Sequence, residues 1–331
     1  MEVLSASTRD LERAAAALAS GSLVAFPTET VYGLGGDAFN TSALAKIFEA
    51  KNRPRFDPLI IHIAALDSLP RIVDEALLCE TVKEKLSLLS DRLWPGPLTI
   101  ILPKKPELPA LATAGLSTAA VRFPSHPVAQ KLIHLSTGAI AAPSANPFGY
   151  LSPTRAEHVK EQLGNRVDFI IDGGKTQVGL ESTVLDLTRS PATILRPGGT
   201  TREAIEALIG PVDLFSGTPN EAPTSPGQLK SHYAPRTLLI LHKRGEMSSI
   251  PISHNEGRLY FSPPENINEL PPERTRILSK TGNLGEAASN LFDMLHELDS
   301  LCLSPIRAEE APGSGLGEAI NDRLRRAAQD K

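Results

Sequence analysis

The sequence predicts an α/β protein: a twisted mixed sheet with helices over residues 1–210, followed by a smaller, Rossmann-like α/β domain at 237–331. Three observations carry this. Short apolar runs recur between helical segments across 1–210, the alternation of an α/β domain. Residues 211–236 then hold Pro211, Pro219, Pro223, Pro226 and Pro235 among Gly, Ser, Thr and Asn, a linker composition stiffened by proline. Beyond it the strand and helix patterns resume, with no internal repeat relating the two parts.

The first helix spans 8–20, with Thr8 near its start, Leu11 and Leu18 on its apolar face and Gly21 as its stop. An apolar strand at 23–26 runs into Pro27-Thr28-Glu29-Thr30, which offers hydroxyls and a carboxylate where the strand stops. Tyr32-Gly33-Leu34-Gly35-Gly36 reads as a flexible loop that lets backbone approach a ligand closely. A second helix, opened by Asn40 or Thr41 and carried on Leu44, Ile47 and Phe48, is ended by Pro54 and leaves Lys51, Arg53 and Arg55 clustered. Further strands are expected at 59–63, 98–102, 139–142, 167–171, 183–187 and 193–195. In the smaller domain, strands are expected at 238–241, 258–261 and 276–278. A helix over 286–298 carries Leu291, Leu295 and Leu298 on one stripe, and a last helix covers about 318–328.

Composition excludes several classes. The formal net charge of −4 argues against broad nucleic-acid binding, though not against a small cationic pocket. Cys79 and Cys302 are isolated, which disfavours disulfides and structural zinc and fits a reducing cytoplasm. No secretory signal pattern is evident, and no run approaches the roughly 18 apolar residues of a membrane span.

Several clusters carry chemistry, each beside a plainer reading. Lys51 and Arg53 at a helix end complement the macrodipole; with the Thr-Glu-Thr turn and the glycines before the same helix, they also suit a polyanion. Pro143-Ser144-Ala145-Asn146-Pro147 is a proline turn or a rigid display of two hydrogen-bonding side chains. Thr154-x-x-Glu157 reads as a capping box whose helix N-terminus could hold a phosphate. Trp94-Pro95-Gly96-Pro97 is a packed corner. Arg122, at a strand end near Thr118, is an edge arginine or a bidentate carboxylate partner. Asp172-Gly173-Gly174, Glu181-Ser182 and Arg196-Pro197-Gly198-Gly199 put polar groups at further strand ends, where α/β sheets bind ligands. His62, between Ile61 and Ile63, reads as a half-buried structural histidine. Gly313-x-Gly315-x-Gly317 is a helix-entry loop, not a dinucleotide fingerprint. The residues together imply a cationic, hydroxyl-rich cleft for a phosphate ligand and a small carboxylate.

The strings FPTETVYGLG, KNR, PLIIHI, WPGPLT, VRFPSHP, APSANPFGYLSPT, GLESTV and LRPGG, in that order over residues 26–199, closely resemble the threonylcarbamoyl-AMP synthase family, whose catalytic domain is the YrdC-like fold. Ser231-His232-Tyr233-Ala234-Pro235 and the C-terminal α/β domain resemble its long, two-domain form. The resemblance implies an enzyme, a nucleotidyltransferase that converts L-threonine, bicarbonate or CO2 and ATP with Mg²⁺ to L-threonylcarbamoyl-AMP and pyrophosphate. The product passes to a tRNA threonylcarbamoyl transferase acting on adenosine 37 of tRNAs that read codons beginning with A, so tRNA is an indirect partner. By that resemblance Thr30, His62, Arg122, Ala142 and Ser182 surround threonine. Lys51, Arg53, Asp57, Thr118, Ser144, Asn146, Ser152, Arg196 and Tyr233 line the ATP side, and Lys51 and Arg53 neutralise charge as pyrophosphate leaves. No metal-ligand set is expected from the protein. The linker is expected to fold over the cleft as a lid through Tyr233 and His232. One departure concerns Asp57, where many relatives carry Asn or His; an acid beside phosphates would repel them unless it faces Mg²⁺ or Arg55. Two other classes compete. One is a double-stranded-RNA-binding module, which the charge disfavours. The other is a carbamoyl-transfer domain of the hydrogenase-maturation type, disfavoured by the absence of zinc-finger-like cysteine motifs.

Overall fold

The computed structural model describes residues 1–215 and 232–329. The linker and lid expectations fall largely on 216–231, outside the described residues. Fifteen strands are described, numbered in chain order: β1 (Glu2–Ser5), β2 (Val24–Phe26), β3 (Gly33–Asp37), β4 (Ile60–Ile63), β5 (Leu98–Pro103), β6 (Thr118–Arg122), β7 (Ala139–Ala141), β8 (Phe169–Asp172), β9 (Thr183–Asp186), β10 (Thr193–Arg196), β11 (Asp213–Leu214), β12 (Leu239–His242), β13 (Gly257–Tyr260), β14 (Thr275–Ile277) and β15 (Ile306–Glu309). β1–β11 form one mixed sheet in the order β1-β8-β2-β3-β7-β4-β6-β5-β9-β10-β11. β12–β15 form a separate, all-parallel sheet in the order β12-β15-β13-β14.

The large sheet is covered on both faces. Leu44, Ile47 and Phe48 of helix Thr41–Lys51, Leu86 and Leu89 of helix Glu80–Leu93, and Ile205 of helix Arg202–Ile209 share one core with Ala25, Ile61 and Ile63 of the strands. Leu11, Ala14 and Leu18 of helix Thr8–Ala19 and Leu132 and Ile133 of helix Pro127–Leu135 pack with Val24 and Phe26 on the other face. The period-2 alternation of side chains along β2 thus feeds both layers. In the smaller sheet, helices Leu284–Ser300 and Leu316–Ala327 bury Leu291, Leu295, Ile320 and Leu324 against Leu259, Ile306 and Ala308.

Four expectations are corrected. The glycine stretch at 33–36 is a strand, paired antiparallel with β2 (Val24 opposite Gly35, Phe26 opposite Gly33). Its glycines serve packing: a Cβ on Gly35 would lie 2.8 Å from the Phe26 ring and 3.0 Å from Ile140. Helix Thr41–Lys51, capped by the Asn40 side chain, stops at Asn52 in a left-handed conformation (φ 53°), two residues ahead of Pro54. The Thr154-x-x-Glu157 capping box does not form. Arg155 occupies the cap of helix Ala156–Leu163 without a side-chain capping bond, and the Thr154 amide and hydroxyl instead lie 3.3 and 3.4 Å from His158 Nδ1. His62 is buried, not half-buried. Four strands had no separate expectation: β1, β11, β3 in its glycines, and β15, which lies inside the smaller sheet. Gly315 does stand as the N-terminal cap of helix Leu316–Ala327, the helix-entry role expected of its loop.

Candidate active site

The strands bring their polar termini to one edge of the large sheet. β4 and β6 run parallel, with His62 opposite Arg122, while antiparallel β5 begins at that same edge and places Thr99 opposite Arg122. β9 lies parallel to β5 and starts beside Leu98 with Thr183, so Glu181 and Ser182 immediately precede it at this edge. Between Ile194 and Arg196 the pairing of β10 with β9 shifts register. Such an irregularity re-aims a side chain, and here Arg196 donates to the Ser182 carbonyl through Nε (3.2 Å) and Nη2 (2.9 Å). Gly198 permits this closeness, since a Cβ there would meet the Glu181–Thr183 backbone at 2.4 Å. The surrounding loops are laced by backbone bonds: Tyr32 N to Pro153 O, Leu34 N to Pro143 O, and Val178 N to Glu29 O.

These elements enclose a cavity lined by Thr28, Val31, Gly33, Arg53, Ile60, His62, Arg122, Ala142, Pro143, Ser144, Glu181, Ser182, Arg196, His232 and Tyr233. Arg122 Nη2 donates to Glu29 Oε1 at 2.7 Å; among the described residues the buried Arg122 Nε and Glu29 Oε2 have no hydrogen-bond partner. His62 Nδ1 lies 3.2 Å from the Ile60 carbonyl, and burial, reinforced by the Arg122 charge, pushes the imidazole down to about 3, so it is neutral. The Ser182 and Thr99 hydroxyls are 2.7 Å apart. Thr28 lines the cavity, while the Thr30 hydroxyl lies 2.8 Å from that of Thr28.

Also lining the cavity, Arg53 donates to the carbonyls of Asp57 (3.1 Å) and Pro58 (2.8 Å) and pairs with the Asp57 carboxylate at 2.9 Å. The cation that Asp57 faces is therefore Arg53 rather than Arg55. Burial raises the Asp57 carboxyl against the pull of that arginine. Lys51 is fully buried and donates to the Ser144 and Asn146 carbonyls at 2.6 and 2.5 Å. Burial, then the Arg53 charge, holds its amine well below the usual lysine range. Asn146 Nδ2 donates to the Pro147 and Tyr150 carbonyls, and its Oδ1 has no partner among the described residues. Ser152 donates to Glu181. Burial pushes the Glu181 carboxyl up, but the Arg323 and Arg196 charges and the Ser152 hydroxyl outweigh it, leaving the group below its ordinary value.

The expected residues thus sort by position. His62, Arg122, Ala142, Ser182, Arg53, Ser144, Arg196 and Tyr233 line one cavity. Thr30, Lys51, Asp57 and Ser152 are buried in direct contact with lining residues, and Asn146 reaches the cavity wall through Lys51. Thr118 is not brought in: it opens β6, four residues before Arg122 and opposite Pro103. Sequence reasoning missed Glu29 as the Arg122 partner, Glu181 as a lining acid, and Arg323, which pairs with Glu181 at 2.8 Å. The Glu181-Ser182-Thr183 string was a usable signal; Arg323, amid a charged helix near the end of the chain, offered none.

Fold and site define an α/β protein with a buried, arginine-rich cavity fit for anionic substrates. Comparison with known proteins sharpens this. Residues 16–198 match the Sua5_yciO_yrdC family model, described as "Telomere recombination", and residues 200–329 match the model of the threonylcarbamoyl-AMP synthase C-terminal domain. A threonylcarbamoyl-AMP synthase of Bacillus subtilis is 43% identical over 98% of this chain and 94% of its own length. One of Pyrococcus abyssi is 41% identical over 95% and 93%, respectively. A crystal structure of P. abyssi Sua5 complexed with L-threonine superposes with a TM-score of 0.89 at 37% identity, covering 99% of this chain and 98% of that one. The chain belongs to the threonylcarbamoyl-AMP synthase family.

Proposed function

We propose that the chain is an L-threonylcarbamoyladenylate synthase, joining L-threonine, bicarbonate or CO2 and ATP into L-threonylcarbamoyl-AMP and pyrophosphate. The observation that carries this reading is one cavity whose walls bear Arg122 with an unspent Nε together with Arg53 and Arg196. Arg122 binds the threonine carboxylate, and neutral His62 and Ser182 face the polar remainder. The threonine amine adds to CO2 and loses a proton, giving a carbamate. A carbamate oxygen attacks the α-phosphorus of ATP, the bond to the bridging oxygen breaks, and pyrophosphate leaves with the electron pair. Arg53 and Arg196 stabilise the charge gathering on the phosphates. Lys51 acts by holding the Ser144–Asn146 turn, and Asp57 by holding Arg53. No side chain need act as a nucleophile; fixed geometry can supply roughly 7–11 kcal/mol of the barrier reduction. His232 and Tyr233 wall the cavity and shelter the labile carbamate from water.

Magnesium enters with ATP as its counter-ion. The carboxylates Glu29, Asp57 and Glu181 each face an arginine, and no group of three or more His, Cys, Asp or Glu among the described residues is arranged to hold a metal. The product passes to a tRNA threonylcarbamoyl transferase, which makes tRNA an indirect partner. Among the described residues no helix is long and apolar enough to cross a membrane; the two exposed, unpaired cysteines suit a cytoplasmic site.

The test is pyrophosphate release from ATP and Mg²⁺ with L-threonine and bicarbonate each present or omitted. Release that needs both supports the synthase; release indifferent to threonine, or driven by carbamoyl phosphate, overturns it.

A further inference from the structure

One charged side chain reaches the cavity wall from the smaller unit. Arg323, on helix Leu316–Ala327, has its side chain entirely buried. Its Nε donates to Glu181 Oε2 at 2.8 Å and its Nη1 to Asp322 Oδ2 at 2.6 Å. Its guanidinium carbon lies 4.9 Å from the centre of the Tyr233 ring. Glu181 and Tyr233 both line the cavity, and the other Glu181 oxygen accepts from Ser152.

A cavity that receives a polyanion should not present an unpaired carboxylate, because like charges at short range in a low-dielectric site repel strongly. Glu181 is the cavity-lining carboxylate at this end, and Arg323 pairs with it. The planar guanidinium serves Glu181 and Asp322 at fixed angles and also stacks against Tyr233, a combination a lysine ammonium cannot reproduce. We propose that Arg323 is a positioning residue for the synthase reaction: from the smaller unit it pins the Glu181 carboxylate and the Tyr233 ring and so sets the shape and charge of the ATP-side wall. This rests on the synthase reading above.

The experiment measures threonine-dependent pyrophosphate release in full-length chains, varying ATP and threonine separately, with thermal unfolding recorded in parallel. The unmodified chain is the control: if it releases no threonine-dependent pyrophosphate, the synthase reading fails independently of the role of Arg323. Given that activity, Arg323→Ala raises the KM for ATP at least tenfold and that for threonine less. Arg323→Lys recovers part of the loss. The double variant Glu181→Gln/Arg323→Ala outperforms Arg323→Ala alone, because no carboxylate stripped of its arginine ion pair then faces the phosphates. A purely structural role would lower the melting temperature and leave the ATP KM of the folded protein unchanged. That outcome, or a double variant no better than the single, overturns the proposal. Should Arg323→Ala fail to fold, Arg323→Lys decides: an ATP KM raised at least threefold supports the proposal, and an unchanged one rejects it.

Discussion

Two buried arginines, one in each unit, are used in opposite ways. Arg258 in the smaller unit donates to Glu256, the Tyr260 hydroxyl and the carbonyls of Met247, Ile250 and Pro251. Arg122 in the large sheet is nearly as buried, yet among the described residues it makes one hydrogen bond, to Glu29, and its Nε makes none. Folding alone favours the first arrangement, since each buried donor left without a partner costs about 1–3 kcal/mol. Among the described residues Glu29 Oε2, Asn146 Oδ1, His232 Nδ1 and Arg323 Nη2, in or against the cavity wall, are also buried without hydrogen-bond partners, as are Asn266 Oδ1 and Thr275 Oγ1 away from it. The satisfied arginine holds its domain together, whereas the unspent Arg122 donor at the cavity is the one we propose a ligand takes up.

The comparison breaks most visibly at Arg258. Arg258→Met leaves Glu256 with Arg307 alone and takes the donor from the Met247, Ile250 and Pro251 carbonyls, and should cost about 3–5 kcal/mol of stability, read as a lower urea midpoint, with the threonine KM of the folded protein unchanged. Arg122→Ala should do the reverse. We expect kcat/KM for threonine to fall roughly a hundredfold, about 2.7 kcal/mol, beyond any loss of melting temperature. Asp57→Asn tests the hold on Arg53: with that ion pair removed, ATP KM should rise roughly tenfold, about 1.4 kcal/mol, whereas tighter ATP binding would show that the acid merely repels phosphate. A subtler effect concerns histidine. Burial holds His62 and His296 down at about 3 and His158 at about 4. Between those values and 6.5 the unfolded chain binds more protons than the folded one, so stability falls as pH drops through that window. Urea midpoints from pH 7 to 5 should show it, and His62→Gln should flatten the slope. Smallest of all, Cys79→Ser and Cys302→Ser should each change stability by less than about 0.5 kcal/mol, because both thiols are exposed.

What the sequence disclosed follows from the range of each signal. Local patterning gave the helix opened by Asn40 and seven of the large sheet's strands, since hydrophobic period and capping act within a few residues. β3 was misread as a loop because its glycines look like freedom when taken alone. Only the Phe26 ring, brought across the β2–β3 pair, shows them to be clearance. The capping box at Thr154 failed for a similar reason: Arg155 is drawn away to Asp293 of the smaller unit at 2.7 Å, a contact 138 residues distant. The cavity's cationic character was legible in Lys51, Arg53, Arg122 and Arg196. Their division of labour was not. Lys51 spends its ammonium on two carbonyls, and Arg122 leans on Glu29, because such pairings depend on strand register.

On the proposed function, Arg122 holds a donor in reserve for a threonine carboxylate. Calorimetric titration of L-threonine into the full-length protein tests it most directly. Saturable 1:1 binding to the unmodified chain is expected, lost in folded Arg122→Ala and retained in Cys302→Ser. Undiminished threonine binding by the folded Arg122→Ala variant would contradict it.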